Sequence, residues 1–374
     1  MAQIKRYLEE KILKNLQSRK ILIIYGPRQV GKTTLVKRFL GHFPKTAYLN
    51  GDLVDDQEKL GQPSRDMVKQ FSDLDLLVID EAQRIEDIGI KLKVIFDGLP
   101  KLKIIATGSS AFELSNTVNE PLTGRYFSYT MYPISYSEAE SSQLFELHKF
   151  LVYGSYPEAV TAQDNNIRQK IVQNIATNYL FKDVLNIEYI KNPRSLEHLL
   201  KALALQIGNE VSMTELATTI GIDVKTIGSY LDILEKLYII FPLRPYFTNR
   251  RKSITKQKKY FFYDLGIRNA ILNDFAPIEK RQDFGQLWEN FCVVERKKRN
   301  EALESFADQY FWRSYQGDEI DLIEVANHQI GGFEFKWKDQ SLPGKIKEIY
   351  TKDLKGRDEL RVVSPQSLSE FAKM

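Results

Sequence analysis

The chain has 374 residues and a mass of 43.4 kDa, more than one hydrophobic core usually organises, so two to four domains are expected. A hydrophobic content of 43% with 27% charged residues excludes a largely disordered chain, and no apolar run approaches the roughly 20 residues of a membrane span. The 53 basic and 49 acidic side chains leave a formal charge of only +4, so partners must be sought in local charge patterns.

The first fifteen residues, MAQIKRYLEEKILKN, mix charges at helical spacing and lack an apolar signal core, which predicts a protein that stays in the cytoplasm. ILIIYGPRQVGKTTLVKRFL then reads as a buried strand, a glycine-flanked loop and an amphipathic helix. The loop Gly26, Pro27, Arg28, Gln29, Val30, Gly31, Lys32, Thr33, Thr34 fits the phosphate-binding spacing G-x-x-x-x-G-K-[ST]. Its backbone N–H groups and the helix N-terminus suit ATP phosphates, Lys32 reaches the outer phosphates, and the Thr33 hydroxyl suits magnesium. LDLLVIDEAQ reads as a second strand ending in Asp80, which would hold Mg2+ through water, and Glu81, which would polarise the attacking water. KIIATGSS adds a third strand with Thr107, Ser109 and Ser110 at its carboxyl edge, as γ-phosphate sensors or as plain turn formers. Arg125, in LTGRYFSYTMYPISYSEAE, is either an arginine finger or phosphate sensor, or half of a structural ion pair.

These stretches, with YGSYPEAV at 153–160, resemble the predicted prokaryotic ATPases of the AAA superfamily. Chains of that family carry a C-terminal domain of uncharacterised function related to restriction-endonuclease-like nucleases. The resemblance covers nearly the whole chain and implies an AAA-like ATPase core with Lys32, Thr33, Asp80, Glu81 and Arg125 at matching positions. Ser155 departs from it, since a second glycine is expected there.

From about 137 to 198 the chain is helical and charged, read as a lid or connector. In EVSMTELATTIGIDVKTIGSYLDILEK, Ser212 with Glu215 makes a capping box, Gly221 turns the chain, and Asp223 caps a second helix with an apolar seam at Val224, Ile227, Leu231 and Leu234. This is a helix-turn-helix pattern, and the strands that follow enclose a basic wing. Between 244 and 259 stand Arg244, Arg250, Arg251, Lys252, Lys256, Lys258 and Lys259 without an acidic residue. Lys225, Thr226, Ser229, Arg250, Arg251 and Lys252 are the predicted DNA contacts; the alternative is a protein-contact module, because Asp232 and Glu235 would repel phosphate.

The last third pairs an amphipathic helix carrying Glu289 with three strands turned at Gln316-Gly317 and Asn327-His328. Strand periodicity puts Glu319 and Asp321 on one face, and Glu334 and Lys336 on one face opposite Phe333, Phe335 and Trp337. The order Glu289, Asp321, Glu334, Lys336 is that of a PD-(D/E)xK nuclease, in which Asp321 and Glu334 ligand a second magnesium and Lys336 orients water. Cys292 is a buried small hydrophobe, and His42, His148, His198 and His328 lack metal-ligand spacing.

The expected architecture is multidomain α/β: a P-loop, AAA-like parallel-sheet core (1–136), a helical lid (137–198), a winged helix (199–263) and a nuclease-like α/β domain (264–374). The expected function is Mg-dependent ATP hydrolysis coupled to action on DNA. A nucleotide-controlled assembly switch and an ATP-gated endonuclease are the alternatives. An arginine finger acting in trans would require a homo-oligomer.

Overall fold

Buried on both faces, the run Ile21–Tyr25 forms β1, an interior strand of a five-stranded parallel sheet in the computed structural model, which describes residues 4–108, 121–178, 192–247, 253, 256–314, 316–338, 340–356 and 359–374. The chain divides into two units, 4–133 with 236–238, and 134–235 with 239–374. In the first unit β2 (Thr46–Asn50), β3 (Leu76–Asp80), β4 (Lys103–Thr107) and β5 (Tyr126–Thr130) join β1 in the order β2-β3-β4-β1-β5. Ile21, Ile23, Leu77, Ile79 and Ile104 pack against Leu60, Met67, Leu92 and Ile95 from the helices Val54–Leu60, Ser64–Gln70 and Ile88–Gly98. Each fully buried aliphatic side chain stabilises the sheet by about 1.5–3 kcal/mol. All five strands run the same way, so the carboxyl ends of β1, β3 and β4 meet along one edge, where a parallel sheet binds its ligand.

The second unit holds a seven-stranded mixed sheet. β6 (Glu210–Val211), β7 (Ile240–Pro245) and β8 (Lys258–Phe262) follow the predicted helix pair, and β9 (Asp308–Arg313), β10 (Glu319–Ala326), β11 (Gln329–Phe335) and β12 (Arg361–Val363) form the last third. The order is β12-β11-β10-β9-β7-β8-β6, and β7 pairs with β9 in parallel. The expected division at 263/264 therefore runs through one continuous sheet. Asn327 and His328, both with positive φ, make the two-residue turn that fixes the β10–β11 register at Ala326 opposite Gln329. Gly332 lies under Tyr350 of the helix Gly344–Lys352, where an added Cβ would come within 2.5 Å of the ring.

The helix pair is Met213–Ile220 and Val224–Lys236, separated by Gly221 in the left-handed region. Ser212 accepts from the Glu215 N–H, one half of the expected capping box. Both halves are present at Ser135 and Glu138 instead, opening Tyr136–Ser141. The Ser155 departure also has a local cause: its N–H and hydroxyl both donate to the buried Asp264 carboxylate, at 2.6 and 3.0 Å. Cys292 is buried in the helix Phe284–Ala302. Among the described residues, no helix is long and apolar enough to cross a membrane.

Candidate functional site

The phosphate loop begins where β1 ends. Gly26 has φ 147°, and a Cβ there would lie 2.2 Å from the Met131 carbonyl oxygen, so only glycine fits. Gly31, at φ 98°, turns the chain into the helix Lys32–Phe39. Between them Arg28 and Val30 form the bend, with Gln29 at φ 62°, and Thr34 is exposed on the helix's first turn. Lys32 is buried, and its ammonium donates to the Gly26 and Pro27 carbonyls, each at 2.8 Å. Burial pushes it down to about 8, with Glu81 and Asp80 opposing the fall.

Asp80 ends β3 as the acceptor of three hydroxyls: Thr33 and Tyr48, each 2.7 Å from Oδ2, and Thr107 on Oδ1. Thr107 also accepts from the Glu81 N–H at 3.1 Å. Its hydroxyl thus fixes the Asp80–Glu81 turn. Ser109 and Ser110 lie outside the described residues. Arg6, buried, grips the loop from the N-terminal side, donating to the Val30 and Tyr132 carbonyls at 2.7 and 2.5 Å.

In the second unit four carboxylates and two lysines converge. Ligand oxygens of Glu289, Glu319 and Asp321 lie within 4.8 Å of one another. Lys259, on β8, is 2.9 Å from Glu289 Oε1 and also pairs with Glu319 Oε1. Lys336 pairs with Glu334 Oε2 at 2.8 Å, and Asp321 Oδ2 accepts from the Phe335 N–H at 2.7 Å. Burial, with Asp321 and Glu319 adding and Lys259 opposing, raises Glu289 to about 8. Burial and Asp321 raise Glu334 to about 7 against the pull of Lys336. Burial works against Lys259 and Lys336, yet the surrounding carboxylates hold both above the ordinary lysine value. Glu334 Oε1 is buried and has no hydrogen-bond partner among the described residues. An orphaned carboxylate oxygen beside a second carboxylate fits a hard divalent cation such as Mg2+, with Asp321 and Glu334 as its ligands.

A family model described as "AAA domain" matches residues 18–140. A Walker-type ATPase of Pyrococcus abyssi superimposes with a TM-score of 0.52 at 16% identity, covering 73% of this chain and 96% of that one. Residues 18–140 form an AAA-type, P-loop ATPase-like domain. Beyond the ATPase domain, residues 144–278 and 284–370 match two families described as domains of unknown function, DUF8612 and DUF4143. An uncharacterised protein of Mycobacterium tuberculosis is 27% identical over 319 residues, 84% of this chain and 70% of its own. One of Methanocaldococcus jannaschii is 23% identical over an alignment of 410 residues, 98% of this chain and 89% of its own.

Arg125 stands apart from the ATPase domain's phosphate loop. Its carbonyl accepts from the Ile21 N–H at 2.9 Å, and Ile21 pairs with Tyr126 at the amino end of β1. Four strand rises, roughly 13 Å, separate that end from the loop. Its guanidinium makes a two-pronged pair with Asp97, at 3.0 and 3.1 Å. Within one chain the guanidinium is therefore engaged by Asp97 at the amino end of β1.

Near the helix pair, Lys225 and Ser229 are exposed, but the Thr226 N–H and hydroxyl both donate to Asp223, and the Ser229 hydroxyl donates to the Lys225 carbonyl. Arg250, Arg251 and Lys252 lie outside the described residues. Lys259, counted with the basic wing, is instead 2% exposed inside the acidic cluster. Tyr48, Arg6 and Glu319 were also unassigned, and nothing in their local sequence separates them from surface residues.

The lowered Lys32 group makes nucleotide binding proton-linked. Phosphates beside the ammonium restore it toward its usual 10.5, so between about pH 8 and 10.5 binding takes up a proton and weakens as pH rises. In the nucleotide-free protein the same window gives the opposite slope: the unfolded chain holds the proton longer, so this group makes stability rise with pH. Calorimetry with MgADP at pH 7.5 and 9, in buffers of different ionisation heat, should reveal an uptake several-fold larger at pH 9, from roughly a quarter of a proton to nearly a whole one. Equal proton counts at both would contradict the assignment.

Proposed function

We propose that the chain is a magnesium-dependent, ATP-hydrolysing AAA-type ATPase that acts on DNA, with the acidic and lysine cluster of its second unit as a metal-dependent phosphodiester site. The observation that carries the second half is the buried Glu334 Oε1, without a hydrogen-bond partner among the described residues, in a carboxyl group that Lys336 holds at 2.8 Å. Asp321 and Glu334 would hold Mg2+, which when bound supplies charge stabilisation at a phosphoryl oxygen. Lys336, kept protonated by its carboxylate neighbours, orients the attacking water and offsets negative charge. At the ATP site Lys32 binds the outer phosphates, Thr33 and Asp80 hold Mg2+, and Glu81 orients water. Arg125 would contribute only from a neighbouring copy.

The test is nicking of supercoiled plasmid by the full chain, with and without Mg2+, Mn2+ and ATP. Metal-dependent nicking that falls at least about 100-fold in Glu334→Gln, with ATP turnover unchanged, is the expected result. Equal nicking by both proteins, or none with either metal, would sink the phosphodiester assignment.

One observation favours a second reading, a nucleotide-controlled switch that binds a protein partner. Asp223, lowered by the Thr226 hydroxyl and N–H, carries its charge at the start of the helix Val224–Lys236, and Asp232 is exposed further along it. Both repel DNA phosphate from the surface on which Lys225 stands. Retention of duplex DNA on a filter at 0.15 M salt, at roughly micromolar affinity or better, argues against this reading.

A further inference from the structure

The carboxylates of the second unit surround two places for positive charge, and one is filled by the protein itself. Oxygens of Glu289, Glu319 and Asp321 within 4.8 Å of one another span a space suited to one cation. The Lys259 ammonium, on a side chain 2% exposed, is paired with Glu289 at 2.9 Å and with Glu319. Glu334 has no such satisfaction: Lys336 pairs with Oε2, and Oε1 has no hydrogen-bond partner among the described residues.

We infer that Lys259 is a built-in substitute for a second metal ion, so that the acidic site takes one divalent cation, at Asp321 and Glu334, and excludes another from Glu289 and Glu319. This rests on the metal reading of the site given above. The reasoning is one of charge and room. A half-buried carboxylate pair needs a counter-ion, and an ammonium paired with Oε1 of both members supplies it in the place a metal ion would take. Lys259 comes from β8, two strands away from β9 in the sheet order, and reaches the same carboxylates as the β10 residues Glu319 and Asp321. Lys259 is then a positioning residue, holding Glu289 and Glu319 in fixed orientation beside the single ion.

Counting bound Mn2+ by electron paramagnetic resonance on the nucleotide-free full chain tests this. Asp321→Asn, which removes the carboxylate shared by both places, supplies the background from the rest of the chain. Wild type should exceed it by one ion and Lys259→Met by two. A wild-type excess of zero overturns the metal reading itself. An excess of two in wild type, or of one in folded Lys259→Met, overturns the Lys259 inference while the site stands. Because Lys259→Met leaves two carboxylates facing each other, Glu319→Gln is a second check on a milder change. It should leave the wild-type count at one, since its partner is the ammonium, and loss of that ion would overturn the inference.

Discussion

Lys32→Ala is expected to lower ATP turnover by a factor of roughly 10²–10³, the cost of removing one preorganised donor from a transition state. The loss should appear in kcat as well as in nucleotide affinity if Lys32, as proposed, faces charge that grows on the transferring phosphoryl group. Folding should not suffer. The ammonium is buried and its affinity for a proton is lowered by burial, which means that its charge opposes folding below about pH 8. Lys32→Met, which keeps the stem volume, should therefore melt at or above the wild-type temperature at pH 7 without nucleotide while sharing the loss of turnover. Turnover within a factor of five of wild type would remove the phosphate loop from the chemistry. A large fall in melting temperature would mean that the two carbonyl bonds from Lys32 outweigh its burial.

The second large effect is on stability. Arg268 is 2% exposed and donates to the Ala204 carbonyl through Nε at 2.9 Å and through a terminal nitrogen at 2.8 Å. It also pairs with Asp283 at 2.6 Å, linking the helices Pro193–Leu205 and Leu265–Leu272 to the start of Phe284–Ala302. Arg268→Met should destabilise the second unit by about 3–5 kcal/mol, the usual effect of breaking a buried pair from one side. For a unit of this size that corresponds to a fall of roughly 6–20 °C in its calorimetric transition. Arg281 also pairs with Asp283, at 2.8 Å, so the stranded carboxylate keeps one partner and the lower half of the range is expected. A shift below about 1 kcal/mol would mean that the guanidinium is replaceable by apolar packing.

What could be read in the sequence follows from how local each feature is. The phosphate loop was legible because phosphate geometry dictates the interval from Gly26 to Lys32, and the β10–β11 turn because Asn327-His328 can adopt positive φ. The helix pair around Gly221 was legible from its apolar seam. Arg125 was not, since its motif gives no sign of which end of β5 it occupies, and only the register of Ile21 with Tyr126 does. The same holds for Lys259, whose neighbours along the chain are basic while its neighbours in space are acidic. Pairings such as Arg244 with Tyr310, which fuse two expected domains into one sheet, arise from contacts far apart in sequence that no local pattern encodes.

That fusion gives the second unit a ruler. From β8 to β10 there are three sheet spacings, through β7 and β9, or roughly 14 Å at the usual interval between hydrogen-bonded strands. Backbone hydrogen bonds between β7 and β8 and between β7 and β9 fix that interval, so β8 keeps a set spacing from the β10 carboxylates. If the proposed action on DNA holds, a strand of nucleic acid gripped beside β8 would meet the carboxylates at a set number of nucleotides from the grip. Products of a bound duplex would then share one length offset, whatever their sequence.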